Sequence, residues 1–104
     1  MKNYAISFSD EALSELREIY EYIAFDLLET AVAQRQVNRI RKEIASLDSM
    51  PKRYRTVEWE PWKSMEMRRL NVENYSVFYL VREEDMTVYI VHIFYGRRDI
   101  QKRL

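Results

Sequence analysis

The hydrophobic positions of this chain change their spacing along its length, and each change marks an element. Tyr4 to Phe8, short, aromatic and β-branched, reads as a first strand. Leu13, Leu16, Tyr20, Ile23 and Leu27 then step by three and four. That spacing predicts an amphipathic helix with this stripe buried and the Glu15, Glu18 and Glu21 side in water. Ser9 stands where it can cap the helix, and Asp10 and Glu11 suit the positive end of its dipole. Phe8 and Leu13 have the spacing of a hydrophobic staple.

A second stripe, Ala33, Val37, Ile40, Ile44 and Leu47, predicts a second helix that Pro51 ends, because proline cannot continue the backbone bonding. Between the stripes "FDLLETA" holds neither glycine nor proline and reads as a short kinked turn, so the helices are expected to form an antiparallel hairpin. "MPKRYRTVEWEPWKS" has two prolines, two tryptophans and no period. It reads as a long loop of the kind that often carries function. Met65 to Asn71, Tyr75 to Arg82 and Thr87 to Tyr95 read as three strands, joined by turns at "VEN" and "EEDM". Connections this short make them antiparallel neighbours.

The order is therefore β-α-α-β-β-β, an α+β domain in which a helical hairpin packs on one face of a small, mainly antiparallel sheet. In the third strand Tyr75, Val77, Tyr79 and Val81 share one face, and Ser76, Phe78, Leu80 and Arg82 the other. In the fourth, Val88, Ile90, His92 and Phe94 are expected to oppose Thr87, Tyr89, Val91, Ile93 and Tyr95. Two helices cover one face only. The second, also fairly apolar, is expected to lie under the C-terminal tail or a partner chain.

Composition narrows the chemistry. At 104 residues the chain is one domain, residues 1–104, with room for a single core. The absence of cysteine and the single histidine exclude disulfides and leave no basis for a zinc centre, so neither metal nor cofactor is expected. No apolar run reaches the length of a membrane span, and the N-terminus lacks the order of a signal peptide, so the expected location is cytoplasmic, away from membranes. The net charge is zero, but residues 1–50 hold 6 basic against 9 acidic side chains and residues 51–104 hold 11 against 8. The second half thus offers a basic surface to an anionic partner, unless the halves neutralise each other in the fold.

No nucleophile-and-base pair, phosphate-cradling glycine loop or dinucleotide fingerprint is present. What remains is a set of cations and aromatics in the second half, the combination with which proteins hold unstacked bases and their phosphates. Arg68, Arg69, Arg82, His92 and Tyr95 are the candidate catalytic groups. Lys52, Arg53, Arg55, Lys63, Arg97 and Arg98 are the candidate binding groups. A metal-independent RNA cleaver could use such a set: the 2′-OH attacks phosphorus, arginine or lysine stabilises the growing charge, and tyrosine or histidine moves protons. Plainer readings stand beside this one. His92 reads more readily as a packed, hydrogen-bonded core residue, "PKRYR" also as a solvated loop, Arg97, Arg98 and Asp99 also as an ion pair capping a final turn, and Trp59 and Trp62 as anchors of the loop. Arg68 and Arg69 point to opposite faces, so at most one can join any single site.

The element order, with "LNVENYSVFYLV" and the closing "IVHIFYGRRD", resembles the RelE/ParE superfamily of toxins from bacterial type II toxin–antitoxin modules, and the resemblance spans nearly the whole chain. It implies a growth-inhibiting, plasmid-stabilising toxin neutralised by a cognate antitoxin, with operator DNA bound only through that antitoxin. Two targets follow from the resemblance: DNA gyrase for the ParE branch, or mRNA on the ribosome for the RelE-like endoribonucleases. In the nucleases the counterpart of "NYSVFY" commonly has an arginine where this chain has Ser76. The ParE branch tends to lack it, which tilts the expectation toward gyrase. A non-toxic, partner-binding module of the same fold is the third reading.

Overall fold

The computed structural model describes residues 3–96. Arg97, Arg98 and Asp99, singled out in the sequence, lie outside the described residues. β1 (Ala5–Phe8) runs into α1 (Asp10–Glu21) through Ser9, whose hydroxyl accepts the Ala12 N–H at 2.9 Å and donates to the Val91 carbonyl at 2.7 Å. One side chain therefore caps the helix and ties its start to the sheet. Leu16 and Ile23 are buried as the stripe requires, with Ala12 beside them in place of Leu13, but Leu13 and Leu27 are exposed. For Leu27 the cause lies at Tyr22–Asp26, a π-helical turn closed by Leu27 N–H to Tyr22 carbonyl at 3.1 Å. A π turn inserts an extra residue into the helical repeat. Ile23 and Ala24 take the buried places, and Leu27 is carried round into solvent.

α2 (Thr30–Ala45) buries Ala33, Val37, Ile40 and Ile44, and Leu47 continues the stripe from a short 3₁₀ turn, Ser46–Asp48. The α-helix thus stops before Pro51, which instead opens a second 3₁₀ turn, Pro51–Arg53, after Met50 in the left-handed conformation. β2 (Arg68–Val72), β3 (Tyr75–Arg82) and β4 (Thr87–Tyr95) form the antiparallel meander. β1 lies parallel to β4, giving a four-stranded sheet in the order β1-β4-β3-β2. Met65, Glu66 and Met67 belong to the loop rather than to β2. No helix among the described residues is long and apolar enough to cross a membrane.

The main core lies between the helices and one sheet face, and includes Leu16, Ile40, Ile44, Leu70, Val77 and Tyr79. Among the described residues, the chain's own loop packs on the second face. Val57, Trp62 and Met67 are buried against Phe78, with Trp59, Leu80, Val91 and Phe94 packed around them. The Trp62 and Phe78 ring centres lie 4.7 Å apart. Val57 N–H donates to the Met67 carbonyl at 2.8 Å and Thr56 bridges Arg68, so this loop is held partly as a sheet extension.

Strict alternation fails in β4. Phe78 pairs with His92 but Tyr79 with Ile90, so Val91 is an extra residue, a β-bulge. Beyond it the pleat is reversed: Ile93 joins Val88 and Ile90 in the helix-side core, while Phe94 packs on the loop side. His92 faces the loop side too, stacked between Trp62 and Phe94 with ring centres 5.9 and 4.8 Å away.

Candidate functional site

The bulge and the meander bring several of the expected residues to the C-terminal end of β4. Arg69, opposite Phe78, and Ser76, opposite Asn71 and Phe94, share the loop-side face with His92. The Arg69 Nε donates to Asn71 Oδ1 at 3.2 Å and to the Ser76 hydroxyl at 3.3 Å, and its guanidinium lies 5.6 Å from the Phe78 ring centre. The Ser76 hydroxyl in turn reaches Asn71 Oδ1 at 3.1 Å and the Gly96 carbonyl at 3.2 Å. Ser76 is fully buried, so this position is a bonded joint between strands. Gly96, at φ +92°, donates its N–H to the Asn74 carbonyl at 2.6 Å, a sharp exit that favours glycine.

His92 is held by a residue that helix periodicity placed in water. Glu15 accepts the Ile93 N–H at 2.8 Å on one carboxylate oxygen and lies 3.0 Å from the His92 Nδ1 on the other. β1 accompanies β4 only as far as Ile90. Past that point the outer edge of β4 has no strand beside it among the described residues, and the carboxylate takes the place of a strand carbonyl. No sequence signal within α1 foretells this, because the need arises from the length mismatch of β1 and β4.

The other candidates lie apart. Arg68 is on the helix-side face, where its Nη1 donates to the Tyr54 carbonyl at 2.6 Å and to the Lys52 carbonyl at 3.1 Å. The Tyr79 hydroxyl beside it donates to the Pro51 carbonyl at 2.7 Å, and burial above all pushes its pKa well above the ordinary tyrosine value. Tyr95 projects from the strand end, exposed, with its ring edge on Tyr75 at 5.4 Å. Burial is likewise the main reason the Tyr75 hydroxyl titrates above its ordinary range. Arg82 lies over the Tyr89 ring at 4.7 Å, at the opposite end of β3. Six residues of extended chain separate it from Ser76, roughly 20 Å, so it cannot supply a charge at that position.

Among the candidate binding groups, Arg53 closes the end of the second helical segment, donating to the Ser49 carbonyl at 2.6 Å and the Met50 carbonyl at 3.1 Å. Lys52 pairs with Glu83 at 2.7 Å, and this contact, foremost its hydrogen bond, raises the lysine pKa. Arg55 and Lys63 are exposed on the loop. The structure thus brings Arg69 and His92 onto one face, puts Arg68 and Tyr95 on the other, and leaves Arg82 at the far end. No group of three or more histidine, aspartate or glutamate side chains able to hold a metal occurs among the described residues.

Solved structures share this architecture. The chromosomal ParDE toxin–antitoxin system of P. aeruginosa matches with a TM-score of 0.73 at 18% identity, over 90% of this chain and 97% of that one. A chain of the RelBE2 toxin–antitoxin complex of Mycobacterium tuberculosis matches at 0.67 and 15% identity, over 89% and 98%. The isolated E. coli RelE toxin matches at 0.60 and 16%, over 96% and 92%. At these identities the likeness concerns the fold. No curated protein matches the chain. Residues 6–100, nearly its whole length, match the family model of the ParE toxin of the type II toxin–antitoxin system, parDE. The chain belongs to the ParE toxin family of type II toxin–antitoxin systems.

Proposed function

We propose that this toxin arrests growth by inhibiting DNA gyrase, not by cleaving mRNA on the ribosome. The observation that carries this reading is the separation of the cationic and proton-transferring groups. Cleavage through a 2′-OH needs a base, an acid and a charge stabiliser within hydrogen-bond reach of one phosphate. Arg69 and His92 face one way, Arg68 and Tyr95 the other. Arg68, Arg69 and His92 are further engaged with carbonyls, Asn71, Ser76 and Glu15. Inhibition by docking on a protein target imposes no such convergence.

The cognate antitoxin holds the toxin in check, and the pair meets its operator DNA through the antitoxin, in the cytoplasm. The test is a short induction without antitoxin, following DNA and protein synthesis separately by uptake of labelled precursors. An early stop in DNA synthesis with damage signalling is expected. An early stop in protein synthesis with DNA synthesis continuing would replace gyrase by ribosome-dependent RNA cleavage. Unimpaired synthesis of both would leave a partner-binding module without toxicity.

A further inference from the structure

Several cations of the second half, which the sequence offered to an anionic partner, serve the fold instead: Arg53 and Arg68 bond carbonyls, and Lys52 pairs with Glu83. Cations without an ion pair gather on α2, in the half of the chain that counts as acidic. α1 carries five acids against one cation, and α2 four cations against one acid. Counted together over residues 1–50 they partly cancel, which hides the contrast. No ion pair among the described residues joins the two helices, so contact between them does not neutralise it.

α2 turns Ala33, Val37, Ile40 and Ile44 into the core, which fixes its opposite face in water. Arg35, Asn38, Arg41 and Lys42 step by three and four along that face, and all four are exposed. Gln34 lies beside them, its amide donating to Asn38 Oδ1 at 3.1 Å. Arg39, at the border, is paired with Glu43 at 3.8 Å and Glu73 at 3.5 Å. Arg35, Arg41 and Lys42 have no ion pair among the described residues. Arg35 and Lys42 are about 10 Å apart along the helix axis. A DNA duplex presents about six phosphates over that length.

We infer that this face of α2 lies along the phosphate backbone of the duplex DNA on which gyrase acts, with Arg35, Arg41 and Lys42 as the phosphate contacts. The inference rests on the gyrase reading above. α2 holds no aromatic ring on which an unpaired base could stack, so its outer face suits a duplex backbone and not a single strand. Nor does that face carry the large apolar anchor of a protein interface, since its only apolar side chains are alanines. The acids of α1 repel phosphates, which leaves the duplex one side of the hairpin to follow.

The test titrates the purified full chain against a fluorescent DNA duplex of arbitrary sequence over a range of salt, beside an assay of gyrase supercoiling. Three phosphate contacts give a slope of about −3 for log K against log salt, from roughly 0.9 for each contact. The triple variant Arg35→Gln, Arg41→Gln, Lys42→Gln changes exposed side chains only and should melt as the wild type does. It is expected to bind the duplex at least tenfold more weakly at low salt, with a slope near zero, and to inhibit gyrase several-fold less. Arg35→Lys with Arg41→Lys should keep both properties, because a phosphate accepts the point charge of lysine. Duplex binding by the triple variant within twofold of wild type overturns the inference. So does undiminished inhibition of gyrase by that variant, or tighter wild-type binding to single-stranded RNA than to the duplex. If the wild type leaves supercoiling uninhibited, the gyrase reading falls, and the duplex titration still decides whether α2 is a DNA face.

Discussion

Ser76 is where this chain departs from the nuclease pattern, and truncating it to alanine tests whether the position is structural. The side chain is fully buried, with one hydroxyl shared among Arg69 Nε, Asn71 Oδ1 and the Gly96 carbonyl at 3.1–3.3 Å. A hydroxyl has one proton, so it satisfies one of the two acceptors at a time while accepting from the arginine. Ser76→Ala removes that donor and acceptor but leaves Arg69 and Asn71 bonded to each other at 3.2 Å. The loss is therefore that of about one buried hydrogen bond, ~1–2 kcal/mol.

For a domain of this length the unfolding entropy makes 1 kcal/mol equal to about 5 °C in melting temperature. Ser76→Ala should then melt ~5–10 °C below wild type, read by circular dichroism. Growth arrest at 30 °C should persist, since the fold survives at that temperature. Loss of growth arrest with an unchanged melting temperature would refute the reasoning, because it would mean that the hydroxyl meets the target rather than joining strands.

Three further outcomes follow from the same geometry. Trp62→Ala, which uncovers Phe78 and removes the ring on which His92 stacks, should destabilise by ~3–5 kcal/mol in urea unfolding; a smaller loss would mean that the loop does not anchor the second sheet face. Gly96→Ala meets no atom within 4 Å of the added carbon but must hold φ at +92°, so its effect on the unfolding midpoint should be the backbone cost alone, ~1–2 kcal/mol. Stability should decline above about pH 10, because the unfolded chain releases tyrosine protons there while Tyr79, with its raised pKa, does not; the slope is up to ~1.4 kcal/mol per pH unit for that residue, and urea midpoints of Tyr79→Phe should show a shallower decline.

The fold was legible where each residue answers to its local neighbours. β3 keeps perfect alternation and α2 keeps its stripe, so periodicity assigned both faces correctly. It misassigned Ile93 because a bulge is a property of strand pairing: nothing in "VYIVHIF" distinguishes an inserted Val91 from a regular one. The π turn hid in the same way, leaving the three-and-four spacing intact on paper while moving Leu27 into solvent. The cations were the least legible. Arg53 and Arg68 have the charge of phosphate contacts, yet both satisfy backbone carbonyls at the turns of a glycine-poor chain. Only the positions of those carbonyls, fixed by the fold, reveal it.

That shortage of glycine has a consequence at the hairpin tip. Five non-glycine residues, Leu28, Met50, Glu66, Glu73 and Met86, hold positive φ among the described residues. At ~1–2 kcal/mol each, such conformations draw on a total stability of only about 5–15 kcal/mol. Leu28 combines the strain, at φ +56°, with a side chain left almost wholly in water. A ligand present at a thousand times its dissociation constant adds about 4 kcal/mol to the folded state, enough to offset several of these turns. Leu28→Gly relieves the strain and deletes an exposed side chain, while the greater freedom of glycine in the unfolded chain takes back about 0.5–1 kcal/mol of that gain. The free chain should then melt a few degrees higher, up to about 5 °C. An unchanged melting temperature would mean that the strain stored at Leu28 is no larger than the entropy glycine adds to the unfolded chain, and that the left-handed turn costs the free fold little.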